Sequence, residues 1–184
     1  MVRIQLLVMG ILVACTASAA DKLRAELSSF AAIEVAPFRN KVGASLKEPI
    51  VADLQERLVK SINESKLLAA TRNTTLKFPK KDSDDDTKVV FEGTGKEEDK
   101  AVLVLFSEVI TFSKGSRAKR YLLGDGTGRE ELRGNCYIVD KRTGAQLINF
   151  QTFGETNWGI AGGGADKTLK GYTNRIVSVL KGRY

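Results

Sequence analysis

The side chains able to do chemistry in this sequence are few, and their types exclude most catalytic machinery. The 184-residue chain contains no histidine and two cysteines, Cys15 and Cys136. Histidine is the usual general base near neutral pH and the commonest metal ligand, so its absence excludes His-containing triads and His-ligated metals. One cysteine besides Cys15 cannot build a thiolate zinc site. We therefore expect a non-catalytic protein without a metal or a cofactor.

The most suggestive polar patch lies between residues 114 and 128. It combines cations, a hydroxyl and closely spaced glycines: Lys114, Ser116, Arg117, Lys119, Arg120, Gly124, Gly126 and Gly128. Arg and Lys beside glycine-rich backbone can bind a phosphate, a carboxylate or a lipid headgroup. We call the stretch from 114 to 128 the basic corner. Alternatively, Arg117 forms an ion pair with a local carboxylate such as Glu130 and only stabilises the conformation of this corner. Trp158, in a glycine-rich loop, is a second candidate contact residue, or else it covers the open end of a sheet.

Three apparent motifs fail on spacing or geometry. Strands are predicted on both sides of the glycines at 124–128, whereas a dinucleotide fingerprint needs a strand before, a helix after and wider spacing. The aspartates at 82–86 resemble a calcium loop, but threonine stands where glycine is required and glycine where glutamate is required. Adjacent Glu130 and Glu131 point to opposite faces of a strand, which is poor geometry for acid–base catalysis.

The N-terminus has the layout of an export signal. Arg3 precedes an apolar run, Ile4 to Ala14, of about half the ~20 residues needed to span a bilayer. Residues 12–15 resemble a bacterial lipobox, which predicts cleavage before Cys15 and lipidation of that cysteine. Thr16 after it suggests, by analogy with enteric bacteria, the outer membrane. In the alternative, cleavage after Ala19 discards Cys15 and leaves a soluble secreted or periplasmic protein.

These features divide the chain into a signal peptide at 1–14, a short tether at 15–30 and one domain at 31–184. Lysine and arginine total 29 against 22 acidic residues, a net charge of +7. Such a balance favours anionic partners or simply confers solubility, and no specific nucleic-acid motif accompanies it. With Cys15 lipidated or removed, Cys136 is predicted to be a small buried core residue.

Apolar spacing predicts an α+β fold, with a mixed or mostly antiparallel sheet and two amphipathic helices packed on one face. A strand at 31–38 precedes a helix over 50–62, with Pro49 in its first turn. A strand at 66–70 and an irregular segment at 73–100, with a short strand at 89–91, follow. A central strand at 101–112 contains Glu108, expected at a bulge or facing solvent. A hairpin pairs 132–139 with 145–153, and Asp166 caps a final helix whose apolar face is Leu169, Tyr172, Ile176, Val179 and Leu180.

Three stretches of the second half resemble a known bacterial family. They are Phe112 to Arg120, Gly124 to Gly128 and the turn from Val139 to Gly144. The chain is similar over residues 31–182 to the DUF4410 group, a lipoprotein or secreted family of unknown function. Asp125 departs from the small or apolar residues expected in the glycine-rich turn. The resemblance implies a fold and an envelope location but no reaction.

The resulting expectation is a cell-envelope lipoprotein, held in the membrane by an N-terminal lipid and presenting one domain to a periplasmic or surface partner. The alternative is a soluble secreted module that binds an anionic ligand (lipid headgroup, glycan or nucleic acid) through the same basic corner.

Overall fold

The computed structural model describes residues 25–42, 46–79, 89–113, 130–156 and 165–182. Over these residues the fold is α+β, as predicted. The described elements are β1 (Ala32–Val35), β2 (Arg39–Asn40), α1 (Glu48–Ser65), β3 (Ala69–Arg72), β4 (Val102–Ser113), β5 (Glu130–Asp140), β6 (Gln146–Thr156) and α2 (Ala165–Leu180). A short 3₁₀ helix spans Glu97–Asp99.

One mixed sheet organises the described residues, with strand order β3-β1-β4-β5-β6 and β2 paired with β4. The pairings of β1 with β3 and with β4 are parallel, as is that of β2 with β4. The long strands β4, β5 and β6 pair antiparallel. A mixed sheet was one of the two arrangements that the sequence predicted.

Helix α1 follows directly from its sequence. Pro49 lies in its first turn, and Val51, Leu54, Leu58 and Ile62 recur at helical spacing and are buried. The helix ends at Ser65, and Lys66, which follows it, caps the last turn with a left-handed backbone (φ 55°). The strand predicted to begin at residue 66 therefore begins three residues later, at Ala69.

Helix α2 packs on the same face of the sheet as α1, and its predicted apolar face is confirmed. All five residues of that face are buried. Asp166 lies inside the first turn, because the helix begins at Ala165. Its carboxylate is 2.6 Å from the Arg57 guanidinium of α1, so this residue links the helices where a cap was expected. We call this side of the sheet the helix face and the opposite side the loop face.

The segment after β3 covers part of the loop face. Leu76, Phe78, Val89 and Phe91 pack there on a second apolar cluster, formed by Ala36, Val104, Phe106, Tyr137 and Val139. Val89 forms an isolated bridge where a short strand was predicted. Near the start of the described chain, Leu27 is buried in the main core and Phe30 packs against it, so packing begins before β1.

Candidate functional site

The contact residues predicted from sequence lie outside the described residues. This holds for the corner residues Lys114, Ser116, Arg117, Lys119, Arg120, Gly124, Gly126 and Gly128, for Trp158, and for the lipidation candidate Cys15. It also holds for the acidic stretch at 82–86. The structure does define the residues between which both contact segments, 114–129 and 157–164, are inserted.

Both segments begin at one end of the sheet. Segment 114–129 joins Ser113 to Glu130, and Ser113 is paired with Glu131. Glu131 in turn pairs with Glu155, and Glu130 pairs with Thr156, the last residue before segment 157–164. We call this end of the sheet, defined by Ser113, Glu130 and Thr156, the distal end. The two predicted contact segments therefore start from neighbouring residue pairs at the ends of β4, β5 and β6, which are adjacent in the sheet.

Helix α2 is held firmly against the distal end. The hydroxyls of Thr156 and Thr168 lie 2.6 Å apart, and both are buried. Gly154 allows the close approach, because a Cβ on it would lie 1.9 Å from the Thr168 carbonyl oxygen. The guanidinium of Arg175 lies 5.1 Å from the Phe153 ring centroid, a cation–π distance. The base from which segment 157–164 departs is therefore closely packed against α2.

The distal end also carries formal charge. Glu130, Glu131 and Glu155 lie on adjacent rungs, and Arg133 donates a hydrogen bond to Glu131. Segment 114–129 adds four cations among its predicted contact residues. The described part of the distal end is therefore acidic, and the segment that joins Ser113 to Glu130 is basic in sequence.

Glu108 is a buried carboxylate in the middle of β4. The expected bulge is present, at the register shift between Val109 and Thr111, but Glu108 does not face solvent. Lys41 lies 2.7 Å from one oxygen of Glu108, and the Asn135 amide donates to the other at 3.2 Å. A buried charge needs such partners. This pair could not be predicted from the sequence, because Lys41 and Glu108 lie far apart along the chain.

Opposite charges also meet on the loop face, in a cluster around Lys141. Its ammonium lies 2.8 Å from Glu34 and 2.7 Å from Asp99. The hydrogen bond from Lys141, followed by that from Thr94, lowers the pKa of Asp99. Burial alone would lower the pKa of Lys141, but its hydrogen bonds to Asp99 and Glu34 raise it overall. The cluster fastens the 3₁₀ helix to β1 and to the turn after β5.

Four aromatic rings pack together on the loop face. The Phe78 ring lies 5.7 Å from Phe106 and 5.9 Å from Tyr137, and the Phe91 ring lies 5.2 and 5.6 Å from the same two residues. Burial, and then the charge of Glu108, raise the pKa of Tyr137. Sequence reasoning missed this cluster, because Phe78 and Phe91 lie in a segment without periodicity. The signal that could have indicated it is the unbroken apolar run from Val102 to Phe106, which is typical of a strand covered on both faces.

Cys136 is a core residue, as predicted. It is fully buried, and its thiol lies 3.4 Å from the Ser107 hydroxyl, which in turn lies 2.8 Å from the Tyr172 hydroxyl. Burial raises the pKa of the Cys136 thiol to about 12. A protonated, inaccessible thiol is a poor nucleophile, so this network is structural.

The described ranges of the chain contain neither a cluster of metal ligands nor a membrane-spanning helix. No group of three or more acidic or cysteine side chains in them could hold a metal ion. Neither of the two long helices in them is long and apolar enough to cross a membrane.

Fold and site together define a class of protein: an α+β domain with a mixed sheet, helices on one face, and two inserted segments at one end. Residues 82–162 match the family model "Domain of unknown function (DUF4410)". The resemblance predicted from the sequence is thereby confirmed over these residues, which begin before β4, contain β4, β5 and β6, and include the basic corner. A comparison with curated proteins finds no match.

Solved structures share the architecture at low sequence identity. A PelC dodecamer from Paraburkholderia phytofirmans is 11% identical with a TM-score of 0.50, over 84% of this chain and 88% of that one. The hypothetical protein CT253 from Chlamydia trachomatis is 12% identical with a TM-score of 0.50, over 82% and 96%. Lipoprotein GNA1162 from Neisseria meningitidis is 14% identical with a TM-score of 0.41, over 82% and 94%. At these identities the likeness to the PelC and CT253 structures shows the fold alone.

Proposed function

We propose that this protein is a non-catalytic lipoprotein of the bacterial envelope, anchored in the outer membrane and facing the periplasm. It presents the distal end of its domain to a protein partner. The observation that carries the proposal is the register of the long strands. Ser113, Glu131 and Glu155 form one continuous row, so the basic segment and the Trp158 segment leave the sheet side by side. Two segments that start from neighbouring strand ends are suited to act together in binding one partner.

The direction in which the chain enters the domain supports this orientation. The backbone amide of Ala31 donates to the Ala101 carbonyl at 2.9 Å, and Ala32 is paired with Val102. Val102 is the first residue of β4 and Ser113 the last. Eleven strand steps at ~3.3 Å separate the two ends of β4 by roughly 36 Å. A lipid on Cys15 joins the chain on the entry side, so the distal end can face away from the bilayer.

Intact mass after envelope fractionation tests the anchor. We expect wild-type protein in the outer-membrane fraction, beginning at Cys15 and carrying a diacyl or triacyl mass. The Cys15→Ala variant is expected to lose both the added mass and the membrane association. A soluble, unmodified wild-type chain beginning near Ala20 would overturn the lipoprotein proposal.

The alternative function is a soluble secreted module that binds an anionic ligand. The density of cations in the corner favours it, because Lys114, Arg117, Lys119 and Arg120 lie within seven residues. Screening by salt separates the two functions, since ionic contacts with a small ligand weaken steeply as ionic strength rises.

A charge-reversal variant with all four cations changed to Glu provides the test. Loss of a salt-sensitive binding to anionic vesicles or polyanionic glycan would favour the module. The envelope interaction would be favoured by a different result. The wild-type protein would then form a crosslink to a partner from the distal end at low and at high salt, and the charge-reversal variant would lose that crosslink. The matched control reverses four exposed lysines elsewhere, Lys47, Lys60, Lys96 and Lys170, which changes the net charge equally and should leave both readouts intact.

A further inference from the structure

A second surface, separate from the distal end, has the character of a ligand site. On the loop face, a groove of about 800 Å³ opens between the sheet and the segments that cover it. We call it the loop-face groove, and its apolar lining includes Leu76, Phe78, Phe91, Val104, Phe106 and Val139. Its volume lies within the range of small-molecule sites, about 300–1,000 Å³, and a largely apolar lining is typical of them.

The floor of the groove limits what can bind there. Val104 belongs to β4, which is flanked on both sides, because Val104 is in register with Glu34 of β1 and with Val139 of β5. The backbone N–H and C=O groups of the floor are therefore used within the sheet. A peptide lying on it would bring backbone donors and acceptors that find no strand to pair with, which is costly. A methylene chain has no hydrogen-bond donors or acceptors and therefore avoids this cost.

The rim indicates the polar end of such a ligand. Val90 is 47% exposed at the groove, so an apolar side chain lies open to solvent where a ligand would cover it. Lys77 is exposed on the rim and forms no ion pair with any described residue, whereas the Lys141 ammonium is engaged by Glu34 and Asp99. Glu92 also lines the groove and disfavours an anion beside it.

From these observations we propose that the loop-face groove binds a free fatty acid, with its acyl chain along the exposed Val90 and the half-buried Phe78 and Phe91, and with its carboxylate toward Lys77. The proposal goes beyond the envelope function argued above and uses different residues.

Fluorescence titration with cis-parinaric acid tests the site, in the full chain carrying Cys15→Ala so that no detergent is needed. We expect saturable binding with one site per chain. Val90→Asp should weaken it at least tenfold, because a carboxylate then lies on the apolar rim. Leu67→Asp is the matched control, since Leu67 is a similarly exposed apolar residue outside the groove, and it should change affinity less than twofold.

The headgroup assignment has its own test. Lys77→Glu should weaken parinaric acid about fivefold or more and leave its methyl ester unchanged, while Lys47→Glu should alter neither. Circular dichroism and unfolding curves should match the wild type for all four variants, because each changes an exposed side chain.

Two results would overturn the proposal: no saturable binding by the wild type, or equal losses in Val90→Asp and Leu67→Asp. Saturable binding of an apolar peptide in place of the fatty acid would assign the groove to a protein partner. None of these outcomes depends on Cys15 lipidation or on the basic corner, so the two proposals fail separately.

Discussion

The Tyr172 hydroxyl of α2 lies 2.8 Å from the Ser107 hydroxyl of β4, and both residues are fully buried. This contact ties the second helix to the central strand inside the main hydrophobic core. Gly134 of β5 makes it possible, because a Cβ on that residue would lie 2.2 Å from the Tyr172 hydroxyl oxygen.

We expect Tyr172→Phe to lower the free energy of unfolding by about 1–2 kcal/mol, because the Ser107 hydroxyl loses one of its buried partners. Urea unfolding measures the change. A double-mutant cycle with Ser107→Ala should give a coupling of about 0.5–1.5 kcal/mol. Strictly additive effects of the two substitutions would contradict the bond.

The buried thiol should be unreactive in the folded protein. With a pKa of about 12, Cys136 at pH 8 is roughly one part in ten thousand thiolate. In the Cys15→Ala background, we expect no reaction with Ellman's reagent over an hour in native buffer. The same protein in strong denaturant is the positive control and should react with one equivalent. Rapid native labelling would show that the thiol is accessible.

Two glycines that face each other should respond in opposite directions to alanine. Gly154→Ala places a methyl 1.9 Å from the Thr168 carbonyl and should destabilise the domain by about 1–3 kcal/mol. A Cβ at Gly171 has its nearest neighbour at 3.4 Å, and alanine is the better helix former by about 1 kcal/mol. Gly171→Ala should therefore be neutral to stabilising. Thermal unfolding compares the two, and equal destabilisation would refute the close approach at Gly154.

Stability should depend on acid pH through Asp99. The pKa of Asp99 in the folded state lies below the ordinary value of 3.8. The Asp99 carboxylate therefore contributes fully to the stability of the fold above pH 3.8, and this contribution is lost as the pH falls through the lower pKa of the folded state. The pKa of Lys141 is raised above 10.5, so its contribution is complete below that value and is lost only as the pH rises through the folded value. We expect Asp99→Asn to flatten the acid limb of a stability–pH curve.

Glu98→Gln is the control for this experiment, because Glu98 is exposed and 3.5 Å from Lys96, a surface ion pair of little energetic consequence. The control curve should follow the wild type from pH 3 to 7. If Asp99→Asn follows it as well, the cluster does not carry the acid dependence.

The sequence predicted those elements whose pattern is local. Helix α1 was visible in the spacing of Val51, Leu54, Leu58 and Ile62, and β4 in an apolar run that fits a strand buried on both faces. What it did not predict depends on distant partners. Glu108 is buried because Lys41 neutralises it, and Phe78 joins Phe91 only because both pack over Phe106. The corner and Trp158 remain predictions.

The pairing of Ser113 with Glu131 has a practical consequence for dissecting this protein. Because the two residues lie opposite each other, a two-residue Asn-Gly turn can join β4 directly to β5 as a tight hairpin. The core strands would keep their register without residues 114–130. The scaffold can then be purified alone, or the corresponding segment of another protein that matches the same family model can be grafted onto it, so that the domain and its inserted segment become separately exchangeable parts of one gene.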